Sequence, residues 1–163
     1  MFKRIMPFAA AAVLLSSCGT TPKEAASFND KLMLEQKNVV MKYDALLETY
    51  DTYVPAKMDD ALLEFQSQVE SAIYQVRNID PVSGGSALHE TMLNYLETYH
   101  TVAVDDAVEL VRLYKVPENE FTSEMRSQWD LKYKDVDSRL KSADAALKAR
   151  QEEFAKNFGL RIQ

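Results

Sequence analysis

The chain has 163 residues, of which 47% are hydrophobic and 27% charged, with four Gly, five Pro and a single Cys. This composition suits one packed domain and excludes a disordered, collagen-like or disulfide-stapled protein. Acidic residues outnumber basic ones by 25 to 19, giving a net charge of −6. That charge excludes unspecific binding to nucleic acid or to an anionic bilayer surface, because both repel an acidic protein.

Residues 1–17 have the layout of a secretory signal peptide. Lys3 and Arg4 form a basic head, and an apolar stretch follows up to Leu15. The stretch is too short to span a bilayer, which takes roughly 20 apolar residues. We therefore expect this segment to be cleaved from the mature protein.

The cleavage point is marked by Leu15-Ser16-Ser17-Cys18, which resembles the bacterial lipobox. The resemblance implies that Cys18 is acylated, with chains such as palmitate, becomes the mature N-terminus and anchors the protein in a membrane. The lone Cys fits this role because it has no partner for a disulfide; the alternative is a plain secreted protein with a free thiol. Gly19 stands where an Asp retains many such lipoproteins in the inner membrane, which favours the outer membrane of the cell envelope.

Four segments with helical periodicity follow, separated by three short breaks. The first begins with a capping box, in which Thr21 and Glu24 flank Pro22 at the first helical position. Apolar residues recur every three or four positions, and no segment alternates with a period of two. After a tether of residues 18–21, the predicted helices are residues 22–50, 55–78, 86–115 and 122–158.

Short breaks between long helices favour antiparallel neighbours. We therefore predict an all-α fold, an antiparallel up-down-up-down four-helix bundle over residues 22–163, without a second domain. The end of the fourth helix overhangs in this arrangement. Its candidate exposed apolar patch is formed by Phe154, Phe158 and Leu160.

Patterns for metal binding and catalysis are incomplete in this chain. Glu97 and His100 have the Glu-x-x-His spacing of di-iron bundles, but a second copy is missing, and His89 lies three helical turns away. Glu97 is expected to face water. No second Cys exists for haem attachment, and no glycine-rich phosphate loop is present. The sequence predicts no metal, no cofactor and no enzymatic activity, with a metal-binding bundle around Glu97 and His100 as the remaining alternative.

Polar and aromatic residues inside the apolar stripes are the candidate binding residues. Asn29 and Gln36 lie on the buried side of the first helix, where amides need partners, and Asp106 lies near the stripe of the third. The structural interpretation is that the two amides bond across the bundle and fix the helix register. The functional interpretation is that they line a ligand cleft with the tyrosines of the stripes, namely Tyr43, Tyr50, Tyr95, Tyr99 and Tyr133.

The segment Phe28-Asn29-Asp30-Lys31-Leu32, followed by Glu35-Gln36, is similar to the start of the LIC-type surface protein family, small bacterial lipoproteins of unknown function. The order of parts also fits: a lipobox, a helix with the aromatic-Asn-Asp motif, further long helices and the turn Pro117-Glu118-Asn119. The resemblance covers most of residues 18 to 158. It implies a helical cell-envelope lipoprotein and no catalytic residues.

The predicted function is that of a non-enzymatic envelope lipoprotein held to the membrane through Cys18, acting as a protein-interaction or structural module. We expect a protein partner in the envelope and no nucleic acid. The alternative is a small-ligand or carbohydrate-binding protein that uses the Tyr-lined cleft between helices.

Overall fold

The computed structural model describes residues 19–52 and 54–161, so the predicted signal peptide, the lipobox and Cys18 lie outside the described residues. The described chain folds into α1 (Pro22–Thr52), α2 (Pro55–Arg77), α3 (Ser86–Thr101), α4 (Ala107–Tyr114) and α5 (Ser123–Phe158). A π-helical turn, Val102–Asp106, joins α3 to α4 without a break in helical backbone. These three elements form one long helix, which confirms an all-helical fold with four long helices.

Local caps set the start of α1 and both ends of α5, and the cap of α1 is the capping box that the sequence predicts. At the start of α1, the backbone N–H of Thr21 donates to Glu24 Oε2 at 2.8 Å, and that of Glu24 donates to Thr21 Oγ1 at 3.2 Å. The hydroxyl of Thr122 accepts from the N–H of Met125 at 3.2 Å, which starts α5. Gly159 ends it with a left-handed φ of 64°.

The turn between α2 and α3 requires both of its glycines. Gly84 has a φ of 83°, in the left-handed region that disfavours other residues. Gly85 is buried, and a Cβ there would lie 2.9 Å from both the ring of Phe28 and the side chain of Val82. The turn therefore packs directly on the first turns of α1.

The predicted exposed patch at the end of α5 is wrong. Phe154 is only 3% exposed, with its ring centroid 5.7 Å from that of Phe28 and 4.7 Å from that of Phe158. Phe158 and Leu160 are half-buried and pack against the core. The end of α5 lies against the start of α1 and the glycine turn, so these apolar side chains are covered.

The hydrophobic core draws on all four long helices. Helix α1 packs closely on α2, α2 on the third long helix, and that helix on α5, whereas α1 and α5 approach each other less closely. Fully buried side chains include Leu32, Phe65, Leu96 and Leu147. Burying one such side chain contributes about 1.5–3 kcal/mol. Within the two described ranges, no helix is long and apolar enough to cross a bilayer.

The π turn places one carboxylate inside the bundle. Its widened backbone leaves the carbonyl of Ala103 to accept a hydrogen bond from Gln66 Nε2 of α2 at 2.9 Å. Asp106 is 7% exposed, and it accepts from Lys132 Nζ of α5 at 3.0 Å and from the guanidinium of Arg139. Burial opposes the charge of Asp106, but the hydrogen bonds and charges of the two cations outweigh it and lower its pKa below the usual value.

Replacing Asp106 by Asn removes the charge and preserves the size. We expect the free energy of unfolding at pH 7 to fall by about 1–3 kcal/mol, because a buried acceptor of two ionic hydrogen bonds is lost. The folded state lowers the pKa of Asp106, so its stabilisation is present above the usual carboxyl pKa of about 3.9 and is lost as pH falls through the folded pKa. Urea unfolding should therefore show a difference between wild type and Asp106→Asn that shrinks in acid.

Asp105→Asn is the matched control, because Asp105 is the neighbouring residue and is exposed. We expect it to unfold within about 0.5 kcal/mol of wild type at neutral and acid pH. Identical curves for wild type and Asp106→Asn at neutral pH would show that the ion cluster does not hold α5 in place.

Candidate functional site

The candidate residues on α1 lie along its contact with α5, which we call the polar seam. Residues spaced by seven share one face of a helix. On α1 this spacing joins Asn29, Gln36, Tyr43 and Tyr50. On α5 the same spacing joins Asp130, Asp137, Asp144 and Gln151.

The first contact of the seam is a direct amide pair. Gln151 Nε2 donates to Asn29 Oδ1 at 3.0 Å, and the amide nitrogen of Asn29 lies 3.5 Å from Asp30 Oδ1. A cavity of about 500 Å³ adjoins the pair, with Met33 and Leu160 among its walls. The bond across the bundle expected of Asn29 is therefore present, and it ties the start of α1 to the last turns of α5.

Farther along the polar seam, Tyr95 of α3 lies beneath the contact between α1 and α5. Its side chain is 2% exposed, and its hydroxyl has no hydrogen-bond partner among the residues that the structure describes. The polar groups that act on it are the Tyr99 hydroxyl, the Gln36 amide and the Asp144 carboxylate. Burial first, and then Tyr99 and Asp144, raise the pKa of Tyr95 far above its usual range.

Asp144 completes this group from α5. Although much of the residue is exposed, its carboxyl end is turned toward Tyr95, and desolvation there raises the pKa of Asp144. A buried hydroxyl without a regular partner therefore lies next to a carboxyl that is poorly solvated. The Tyr95 hydroxyl and the Asp144 carboxyl could therefore each form a further hydrogen bond.

The next tyrosines stack edge to face. The ring centroid of Tyr99 lies 4.8 Å from that of Tyr95 and 6.0 Å from that of Tyr43, whose ring is nearly perpendicular to it. Burial raises the pKa of Tyr99 to about 12. Burial also raises the pKa of Tyr43 above its usual range, and the charge of Asp137 raises it further. These hydroxyls stay neutral at physiological pH, so they are hydrogen-bonding groups and not acids or bases.

Tyr50 belongs to a separate aromatic group at the other end of the seam. Its ring centroid lies 4.7 Å from that of Tyr114, whose hydroxyl donates to the Tyr50 carbonyl at 2.6 Å. The ring centroid of Tyr114 lies 6.3 Å from that of Trp129. Trp129 in turn stacks on Tyr133, with ring centroids 5.0 Å apart and an interplanar angle of 6°. Burial raises the pKa of Tyr50 above its usual range.

The structure brings together four of the seven predicted cleft residues and places Asn29 toward one end of the seam and Tyr50 and Tyr133 toward the other. The four are Gln36, Tyr43, Tyr95 and Tyr99. Sequence reasoning missed their α5 neighbours, Asp137 and Asp144. The signal that could have found them is the seven-residue spacing on α5, which mirrors the spacing on α1.

His89 and Glu97 both take part in ordinary structural contacts. His89 Nε2 lies 2.8 Å from the carbonyl oxygen of Val76, and its ring lies against that of Phe28. Glu97 pairs with Arg77 at 2.8 Å on the surface, as expected of a residue that faces water. In the part of the chain that the structure describes, no group of three or more His, Cys, Asp or Glu could hold a metal ion.

The chain matches no family model, no curated protein and no solved structure. What the seam can do follows from its own side chains. Its hydroxyls, amides and carboxylates offer hydrogen bonds in a largely apolar surrounding, which is an arrangement typical of binding and of helix registration.

Two tyrosine hydroxyls with opposite environments provide a test of the seam. Tyr95→Phe removes a hydroxyl that lacks a partner, so we expect stability equal to wild type or up to about 1 kcal/mol higher. Tyr114→Phe removes the donor to the Tyr50 carbonyl and should cost about 1 kcal/mol. Urea unfolding of both variants measures the difference. A Tyr95→Phe variant less stable than Tyr114→Phe would show that the Tyr95 hydroxyl is satisfied in solution.

Proposed function

We propose that this protein is a cell-envelope lipoprotein, anchored through acylated Cys18, whose helical domain binds a protein partner without catalysing a reaction. The LIC-type resemblance and the lipobox-like Leu15-Ser16-Ser17 support the anchor. The structure adds that folding begins close to the proposed anchor, since Thr20 Oγ1 donates to the carbonyl of Ser83 at 3.1 Å. Such a short tether would hold the bundle near the membrane.

The bundle is proposed to have the up-down-up-down antiparallel arrangement. Contacts between α1 and α5 support it, because Asn29 meets Gln151 while Tyr43, farther along α1, lies near Asp137, which is earlier in α5. The ion pair of Lys42 with Glu64 ties α1 to α2 within the same arrangement. In such a bundle the outer faces of all four helices remain open to partners.

The protein-binding role rests on apolar side chains that face outward from α1 and α2. Leu34 and Met41 of α1 are 55% and 54% exposed and lie seven residues apart, on the side opposite the core. Leu63 and Tyr74 of α2 are 63% and 66% exposed and lie eleven residues apart, again on one face. Pairs of large apolar groups on one face are what a partner buries at the centre of an interface.

The anchor is tested by changing Cys18 to Ser. We expect the variant to lose its acyl chains and to leave the membrane fraction, because no other part of the proposed mechanism holds the protein there. Cell fractionation and mass spectrometry of the mature N-terminus measure both effects. Ser17→Ala is the control, because it keeps a small residue before Cys18 and should remain acylated. Membrane retention of the Cys18→Ser protein would contradict the anchor.

The partner is tested by crosslinking in intact cells. Wild type should give a reproducible crosslinked species, and Met41→Ser combined with Leu63→Ser should abolish it. Both positions are exposed, so each substitution should change stability by no more than about 0.5 kcal/mol. The control is Leu131→Ser on α5, which removes an equally exposed side chain and should leave the species intact. A domain that stays uncrosslinked under every growth condition would contradict the interaction role.

Ligand binding in the polar seam is the second candidate function, favoured by the unpartnered hydroxyl of Tyr95 beside Gln36 and Asp144. A small ligand with hydroxyl groups would supply the missing bonds. If the hydroxyl serves a ligand, Tyr95→Phe keeps its stability and loses binding.

A further inference from the structure

A second polar cavity lies at the end of the bundle where α4 gives way to α5. Its volume is about 440 Å³, within the range of small-molecule sites. Its main walls are Tyr114, Glu118, Phe121, Arg126, Trp129 and Asp130. Of these residues, Asp130 also belongs to the seven-residue series on α5, but none is among the predicted cleft residues, so the cavity is separate from that cleft.

The aromatic walls are held in place by rings outside the cavity. Trp129 stacks on Tyr133, and Tyr114 is packed against Tyr50 and bonded to its carbonyl. These contacts orient the indole and the phenol before any ligand arrives. A preorganised aromatic wall can pack against the C–H face of a saturated ring at little cost in conformational entropy.

The polar walls offer both donors and acceptors that the protein itself does not use. Trp129 Nε1 is buried and has no acceptor among the described residues. The Arg126 guanidinium lies 5.7 Å from the ring centroid of Phe121, and within residues 19–52 and 54–161 no carboxylate pairs with it. Glu118 and Asp130 likewise have no cation partner in those ranges. The charged groups of Arg126, Glu118 and Asp130 are exposed, so a ligand in the cavity can reach them directly.

The charges around the cavity disfavour an anionic ligand. An anion would meet one guanidinium but two carboxylates, so the net charge of the walls repels it. A neutral ring with several hydroxyls suits all three groups, because each hydroxyl both donates and accepts. Its aliphatic face suits Tyr114 and Trp129. We propose that this cavity binds a neutral saccharide ring, with Arg126 and the two carboxylates bonding its hydroxyls and Tyr114 and Trp129 against its aliphatic face.

This assignment does not depend on the lipid anchor or on a protein partner. It locates sugar binding at the α4–α5 end of the bundle, among residues that the sequence did not indicate as binding candidates. It also predicts that the seam residues Gln36 and Tyr95 take no part in this binding.

The chain contains a single Trp, so its fluorescence reports on the cavity directly. The test uses the purified full-length mature protein in a detergent without a sugar headgroup, titrated with N-acetylglucosamine and glucose. We expect a saturable change with a Kd of the order of millimolar, and at least about tenfold weaker binding of glucuronate. Arg126→Gln and Asp130→Asn should each weaken binding at least about tenfold without lowering the unfolding midpoint.

Lys134→Gln, an exposed position on the same helix, is the matched control and should bind as wild type does. The proposal is overturned if fluorescence shows no saturable change up to about 100 mM of either neutral sugar. It is also overturned if glucuronate binds as tightly as glucose, which would make this an anion site. Binding that survives both Arg126→Gln and Asp130→Asn would place the sugar elsewhere and would likewise overturn it.

Discussion

The ion cluster around Asp106 is the constraint on which the position of α5 depends. A buried carboxylate requires its partners, since leaving it unpaired costs far more than the pair gains over apolar packing. Lys132 and Arg139 both belong to α5, seven residues apart, so they meet Asp106 together in one register only. Such a cluster adds little net stability, but it penalises every arrangement in which α5 has slipped along its neighbours.

The register of α5 determines both candidate sites. With Lys132 and Arg139 held at Asp106, Asp144 comes to lie beside Tyr95, and Trp129 packs against Tyr114 at the other end. A shift of one helical turn would move each group by about 5.4 Å and separate these pairs. The polar seam and the α4–α5 cavity are therefore consequences of one electrostatic arrangement.

The two sites differ in how accessible their unpaired polar groups are to a ligand. In the seam, the Tyr95 hydroxyl lies deep in the core, surrounded by other polar side chains that can share its hydrogen bond. At the cavity, the Trp129 N–H is also buried, but the charged groups of Glu118, Arg126 and Asp130 are exposed around an open space. Around Tyr95 the seam is well suited to registering helices, whereas the α4–α5 cavity has both room and accessible polar groups for a ligand. This difference is why sugar recognition is assigned to the cavity.

The sequence by itself determined the number of helices and nearly all of their ends, because caps, Pro and Gly act within a few residues of where they stand. Thr21 with Glu24, Thr122 and Gly159 are cases of this kind. The π turn escaped prediction because apolar residues continue through Val102–Asp106 with little change in spacing. Only the tertiary structure decided which distant groups meet. Asn29 and Gln151 are 122 residues apart in the chain, and Asp106 and Arg139 are 33 apart. It likewise covered Phe154, which the predicted overhang of the fourth helix left exposed, because burial depends on what packs against a helix and not on the helix alone.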